Sequence, residues 1–284
     1  MKISTEIKSA ARHVGEEKAV ELIAKAGFDA WDLTMSPMAV VDWDTDTARP
    51  ADHPLAGPDF LSFVRRLKQI GLDNGIVCNQ SHAPYPVHIP QIRDMLKRAI
   101  ECTAEAGGQI CVIHPDCNKS PEENARLYLE LLPFAKSHGV KIATENMYGW
   151  DPALDQAAPT ACSDPTSFNA HLDAVDDDFL VACLDTGHAE MWGVGTNAPE
   201  LIRALGSRLQ ALHLHDNDHR KDLHKLPFTM DIDFESIAAA LAEIRYDGYF
   251  TLEAMGHMRS DVPQCLAEMA AAARRLAAMY ERHL

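Results

Sequence analysis

Short apolar runs alternate with longer amphipathic stretches from one end of the chain to the other. Eight runs read as strands: residues 2–7, 30–35, 75–81, 109–114, 140–145, 179–185, 209–214 and 249–253. Each is rich in Val, Ile, Leu, Phe or Thr and is bounded by Gly or polar residues. Between them, stretches 16–26, 59–70, 90–106 and 121–138 carry the helical period. Each is followed by a glycine (Gly27, Gly71, Gly107, Gly139), the residue that closes a helix in a left-handed turn without steric cost. Ser120-Pro121-Glu122-Glu123 reads as a helix start, with Ser at the cap, Pro first and acids in the first turn. A last helix runs from Pro263 to about His283. Eight strands and eight helices in strict alternation imply a parallel sheet. Eight such units in one chain favour an α/β fold closed into a single (β/α)8 TIM barrel domain over residues 1–284. No G-x-G-x-x-G or P-loop string follows any strand, which weighs against an open nucleotide-binding sheet. Stretches 36–58 and 147–163, after the second and fifth strands, lack clear periodicity and read as active-site loops or lids.

Composition narrows the class. The 284 residues hold 26 Lys+Arg against 42 Asp+Glu, a net charge of −16, with 46% hydrophobic and 24% charged residues. These are values of a packed globular protein, which excludes disorder and collagen-like repeats. No stretch of about 18 apolar residues is present to span a membrane. The first residues lack the apolar core of a signal peptide. Seven cysteines without a C-x-x-C pair read as reduced thiols, and the expected compartment is the cytoplasm. The acidic balance weighs against a nucleic-acid partner, which calls for a basic footprint.

Chemistry in a barrel of this kind sits at the C-terminal ends of its strands. Six consecutive strands end in His, Asp or Glu: His82, His114, Glu145, Asp185 with His188, His213 with His215, and Glu253. Helix surfaces scatter charges; they do not gather them at one end of six strands. Glu145, Asp185, His213 and Glu253 form an oxygen-rich set suited to Mn2+, Mg2+, Co2+ or Zn2+. Three converging carboxylates without a cation would repel one another. His213 and His215 share one face of a strand, so either is a candidate ligand, with the strand end favouring His213; His215 is then a substrate contact or exposed. Asp185 and His188 also suit a cap-and-turn pair. His82 and His114 are candidate pocket residues. Arg220, His257 and Arg259 are candidates for a substrate hydroxyl or phosphate. Asp222-Leu223-His224 is a further polar pair. Met269 and Met279 read as core packing, and Trp31 and Trp150 as pocket walls.

The ordered strings Thr144-Glu145-Asn146, Cys183-Leu184-Asp185-Thr186-Gly187-His188, His213-Leu214-His215-Asp216-Asn217 and Leu252-Glu253 resemble the xylose-isomerase-like TIM barrel superfamily. That group holds sugar and sugar-phosphate isomerases and epimerases, inosose dehydratases and the endonuclease IV type of AP endonuclease. The resemblance implies a divalent metal held by Glu145, Asp185, His213 and Glu253. It implies catalysis by Glu145 and Glu253 flanking the reacting carbons, through a metal-bound enediolate. It places His188 near the substrate, with His82, His114, His215 and Arg220 as further contacts to a sugar or sugar phosphate. Pairing into a homo-oligomer through helices is a further expectation. The nuclease branch adds metal ligands, and His82, His114, His188, Asp222 and His224 match them; an additional metal on His188, Asp222 and His224 follows from that branch. Against the nuclease, Lys225-Leu226-Pro227-Phe228-Thr229 replaces its Gly-rich continuation, and Asp42, Asp44 and Asp46 in the first lid would repel DNA. Carbohydrate chemistry is therefore the favoured expectation, ahead of DNA repair, a dehydratase-like lyase or a non-catalytic sugar-binding barrel.

Overall fold

A computed structural model describes all residues, 1–284. Eight parallel strands form the barrel: β1 (Ile3–Glu6), β2 (Ala30–Thr34), β3 (Val77–His82), β4 (Ile110–Val112), β5 (Lys141–Glu145), β6 (Leu180–Asp185), β7 (Leu209–His213) and β8 (Phe250–Leu252). They pair in the order β7-β6-β5-β4-β3-β2-β1-β8. A single parallel bridge, Leu214 to Leu252, joins the two ends: Leu214 N–H donates to Thr251 O at 2.9 Å, and Glu253 N–H to Leu214 O at 3.0 Å. The fold is a TIM barrel.

Ten helices surround it: α1 (Lys8–Val14), α2 (Glu16–Lys25), α3 (Phe60–Asp73), α4 (Pro90–Ala106), α5 (Pro121–Ser137), α6 (Pro165–Asp173), α7 (Thr186–Ala189), α8 (Ala198–Leu205), α9 (Phe234–Glu243) and α10 (Val262–Arg282). The alternation is thus not strict. α1 precedes α2 with only Gly15 between them, because Gly15, at φ 81°, turns the chain where a side chain would strain it. The one-turn α7 precedes α8. Ser120 does cap α5, its hydroxyl accepting from Glu123 N–H while the Glu123 carboxylate accepts from Ser120 N–H. Gly71 does not end its helix, which continues to Asp73. A Cβ there would lie 2.9 Å from Trp31 Nε1, so the glycine is a seat for that ring. Trp31 is accordingly fully buried between β2 and α3, not a pocket wall. Met269 and Met279 pack in the core. All seven cysteines are unpaired. No helix is long and apolar enough to cross a membrane.

The two lid stretches are ordered by local pairing. Ala39–Asp42 and Thr47–Pro50 form one antiparallel hairpin, and Gly149–Asp151 and Gln156–Ala158 another. The main core of 71 residues lies between strands and helices, and a small cluster of Val112, Ala143, Val181, Cys183 and Ala211 fills the barrel on the β4–β7 side. Side chains alternate faces along a strand. The inward series therefore runs Ala143 to Glu145, Cys183 to Asp185, Ala211 to His213 and Thr251 to Glu253, apolar or small at depth and ionisable at the C-terminal mouth.

Candidate active site

His213, at the end of β7, is the hub. Its Nδ1 lies 3.0 Å from Glu145 Oε1 and 3.7 Å from Glu253 Oε2. The register that pairs Asp185 with His213 and Cys183 with Glu145 brings the third carboxylate alongside. One donor atom from each of Glu145, Asp185, His213 and Glu253 lies within 4.8 Å of the others. Two ligands on one transition-metal ion, each at about 2.1 Å, sit up to roughly 4.2 Å apart, so modest side-chain adjustment suffices. Glu145 Oε2 is buried and, although His114 Nε2 lies 3.1 Å away, makes no well-directed hydrogen bond. Three carboxylates and an imidazole with an orphaned buried oxygen fit a divalent cation.

Two further groups adjoin. His82, His114 and Glu145 cluster, with His82 Nε2 to His114 Nε2 at 2.8 Å and His114 Nε2 to Glu145 Oε2 at 3.1 Å. His188, Asp222 and His224 form the other, with Asp222 Oδ2 at 3.4 Å from His188 Nε2 and 3.1 Å from His224 Nε2. Three of these histidines share an anchoring pattern. His82 Nδ1–H donates to Ala83 O (2.8 Å), His188 Nδ1–H to Asn146 O (2.9 Å) and His224 Nδ1–H to Glu253 O (2.8 Å). Each such bond fixes the tautomer and turns Nε2 toward the site, as in metal-bound histidines.

The electrostatics follow from burial and pairing. Burial alone would raise the Glu145 carboxyl, but the His213 and His114 rings hold it well below its ordinary value. Burial lowers His188, and Asp185 and Asp222 more than reverse that, so it lies well above the usual imidazole range. His213 is likewise raised despite burial, by Cys183, Glu145 and Glu253. His224 is pushed up to about 10 against burial, chiefly by its bond to Asp222.

The cavity above these groups measures about 450 Å³ and is walled by Tyr85, Tyr148, Trp150 and Met255 around Glu145, Glu253 and the outer histidines. Asp185 and His213 lie beneath it, fully buried. Asp185 Oδ1 also accepts from His188 N–H (2.9 Å), capping α7, so the cap and the site are one structure.

His215 is not exposed and does not line the cavity. It is wholly buried behind Asp185, its Nε2 2.9 Å from Asp185 Oδ1, and it stacks on His224 at 4.0 Å. Its ring occupies the space a Cβ on Gly187 would need, 1.8 Å from that position, which explains Gly in Asp185-Thr186-Gly187-His188. Arg220 also lies outside the main cavity, in a rim groove with Trp150 and Leu154, its guanidinium 5.2 Å over Trp192. His257 and Arg259 are drawn away to Glu268, at 2.7 and 2.9 Å.

Two buried acids escaped the strand-end reading. Glu6 ends β1, accepts from Ser9 N–H, and leaves its other oxygen unpaired. Burial, with Glu253 and Asp32 adding, raises its carboxyl to about 7. Asp32 on β2 accepts from Gln80 Nε2–H at 3.0 Å and lies 3.7 Å from His213 Nε2. A polar residue at an inward position between Trp31 and Leu33 was the available signal.

A family model described as xylose isomerase-like TIM barrel matches residues 20–282. An uncharacterized protein of Methanocaldococcus jannaschii is 24% identical over 253 residues, 83% of this chain and 78% of its own length. Among solved structures, a D-tagatose 3-epimerase-like protein superposes with a TM-score of 0.74 at 20% identity, covering 99% of both chains. L-ribulose 3-epimerase does so at 0.72 and 16% identity, over 100% of this chain and 96% of that one. A 3-keto-D-glucoside 4-epimerase from E. coli reaches 0.69 at 14%, over 98% and 99%.

Proposed function

The chain belongs to the xylose isomerase-like TIM barrel family, and from that premise we propose that it is a divalent-metal-dependent sugar isomerase or epimerase. The observation that carries this reading is the pair Glu145 and Glu253, both beside His213 and both lining one ligand-sized cavity. Glu145, Asp185, His213 and Glu253 would hold the ion. When bound, the ion supplies a fixed positive charge that steadies negative charge developing on substrate oxygens.

The remaining work belongs to the side chains. One glutamate removes the proton from a carbon beside the carbonyl, and the other returns a proton. They rise from strands three apart around the ring, so they reach the substrate from different sides. Return to the same carbon from the opposite face epimerises it; return to the neighbouring carbon isomerises. His188, anchored through Nδ1, presents Nε2 to a substrate hydroxyl. His82 and His114 fix the Glu145 side of the pocket, and Tyr85, Tyr148 and Trp150 exclude water from it. Structures that superpose on this chain include a D-tagatose 3-epimerase-like protein, an L-ribulose 3-epimerase and a 3-keto-D-glucoside 4-epimerase, which supports the reaction class.

A second reading draws on the anchored histidines. Their pattern supports further ions on His82–His114 and on His188–Asp222–His224, an arrangement suited to phosphodiester hydrolysis. Counting metal atoms per chain and replacing Asp185 tests both. On the isomerase reading, Asp185→Ala loses the tightly held ion and all activity on ketoses, and an abasic-site duplex is never cut. Strand incision by catalytic amounts of protein promotes the second reading.

A further inference from the structure

A second cavity, also about 450 Å³, opens beside the first and shares Tyr85 with it. Both fall within the size range of small-molecule sites. It lies over β1 and β2, lined by Leu33 and Thr34, by Lys8 and Arg12 of α1, and by Trp43 of the first hairpin. The chain carries a net charge of −16, yet two cations face this cavity. Neither Lys8 nor Arg12 makes a salt bridge or side-chain hydrogen bond within the chain. The acid in the same wall, Glu16, is already engaged by His53 at 2.8 Å. The cavity adjoins the reacting centre: Glu6 ends the strand that leads into Lys8, β1 pairs with β8 at Thr5 and Leu252, and Glu253 follows Leu252. Tyr85, which the two cavities share, feels the charges of Glu253 and Glu145 and that of Arg12. Along the hairpin, Ala39, Val41 and Trp43 alternate toward the cavity, and Trp43 is 65% exposed as it stands. An indole of that exposure over a cationic pocket suits a ligand with both a carbon skeleton and a charge.

We propose that this second cavity receives the anionic tail of the substrate, a phosphate or carboxylate at the chain end of a ketose, held by Lys8 and Arg12 under Trp43. The proposal rests on the sugar reading above and sets the substrate class more narrowly: a charged sugar whose reactive end lies between Glu145 and Glu253. Arg12 offers a planar fork to the anion and Lys8 a point charge.

The test measures equilibrium binding to the full-length, metal-loaded protein by calorimetry. Three probes are compared: D-fructose, D-fructose 6-phosphate and D-fructuronate. The expected result is that the phosphorylated ketose binds tenfold or more tightly than fructose. Arg12→Gln and Lys8→Gln/Arg12→Gln should weaken phosphate-sugar binding by about tenfold for each cation removed, without changing fructose affinity or metal content. Fructuronate sharing the advantage and its loss assigns the tail to anions in general; fructuronate behaving like fructose assigns it to phosphate. Arg12 is exposed, so its single variant guards against a folding artefact. Equal weakening of charged and neutral sugars, undiminished phosphate preference in the double variant, or no preference in the unaltered protein would each overturn the proposal. Binding is read without turnover. A failure of the isomerase reading shows separately, as charged-sugar binding with no proton exchange at carbon.

Discussion

At the residue scale, the site is a set of imidazoles whose charge depends on what stands opposite them. In the metal-free protein His188 is raised by Asp185 and Asp222, His224 chiefly by Asp222, and His213 by Cys183, Glu145 and Glu253, which favours their protonated forms. An imidazole must be neutral to bind a metal. Metal uptake at His213 is therefore expected to release protons, and affinity to rise with pH. Calorimetry in buffers of different ionisation enthalpy counts those protons; uptake with none released would contradict the assignment. Glu6 has the opposite linkage. Its folded pKa of about 7 lies above the ordinary 4.5. Its contribution to stability is whole below pH 4.5 and is lost as pH rises through 7, roughly 3 kcal/mol at most. Glu6→Gln keeps an acceptor for Ser9 N–H and removes the titration. In chelator-treated protein its melting temperature should gain on the unaltered chain between pH 4.5 and 7, then hold that gain. A difference independent of pH would show that Glu6 does not titrate there.

At the element scale, strand periodicity made most of the fold legible. Eight short apolar runs mapped onto eight strands to within a few residues, because each carries a buried β-rich core between Gly or polar ends. Ser120 and Glu123 announced α5 because a capping box is written in four adjacent residues. What stayed hidden depends on neighbours distant in sequence. Gly71 looked like a helix end and is a seat for Trp31, forty residues earlier. The lid stretches looked irregular because each hairpin is only three or four pairs long. The burial of His215 stayed hidden because the strand pattern cannot say that Asp185 will cover it. The α7 turn joins these points: Gly187 leaves room for the His215 ring, and that ring holds Asp185. Gly187→Ala should then displace His215 and loosen Asp185, costing about 10–100-fold in metal affinity while circular dichroism stays unchanged. Unaltered metal binding in that variant would separate His215 from the orientation of Asp185.

At the scale of the whole molecule, the barrel converts eight separate strand ends into one mouth. Inward positions change from Ala143, Cys183, Ala211 and Thr251 at depth to Glu145, Asp185, His213 and Glu253 above them, a step of two residues on each strand. The charges are thus gathered by closure, and at one seam the strands pair through the single bridge at Leu214. That geometry supports two glutamates reaching one substrate from two strands, the central claim made for this protein. The most direct test is solvent exchange. The metal-loaded protein is incubated with a panel of free and phosphorylated ketoses in D2O, and deuterium at carbon is followed by NMR and mass spectrometry. Deuterium is expected at the isomerised or epimerised carbon. Glu145→Gln and Glu253→Gln should each lower the exchange by at least ~10²-fold, the scale of a lost acid–base group. Product free of solvent deuterium, or exchange that survives both substitutions, would contradict a two-glutamate proton transfer.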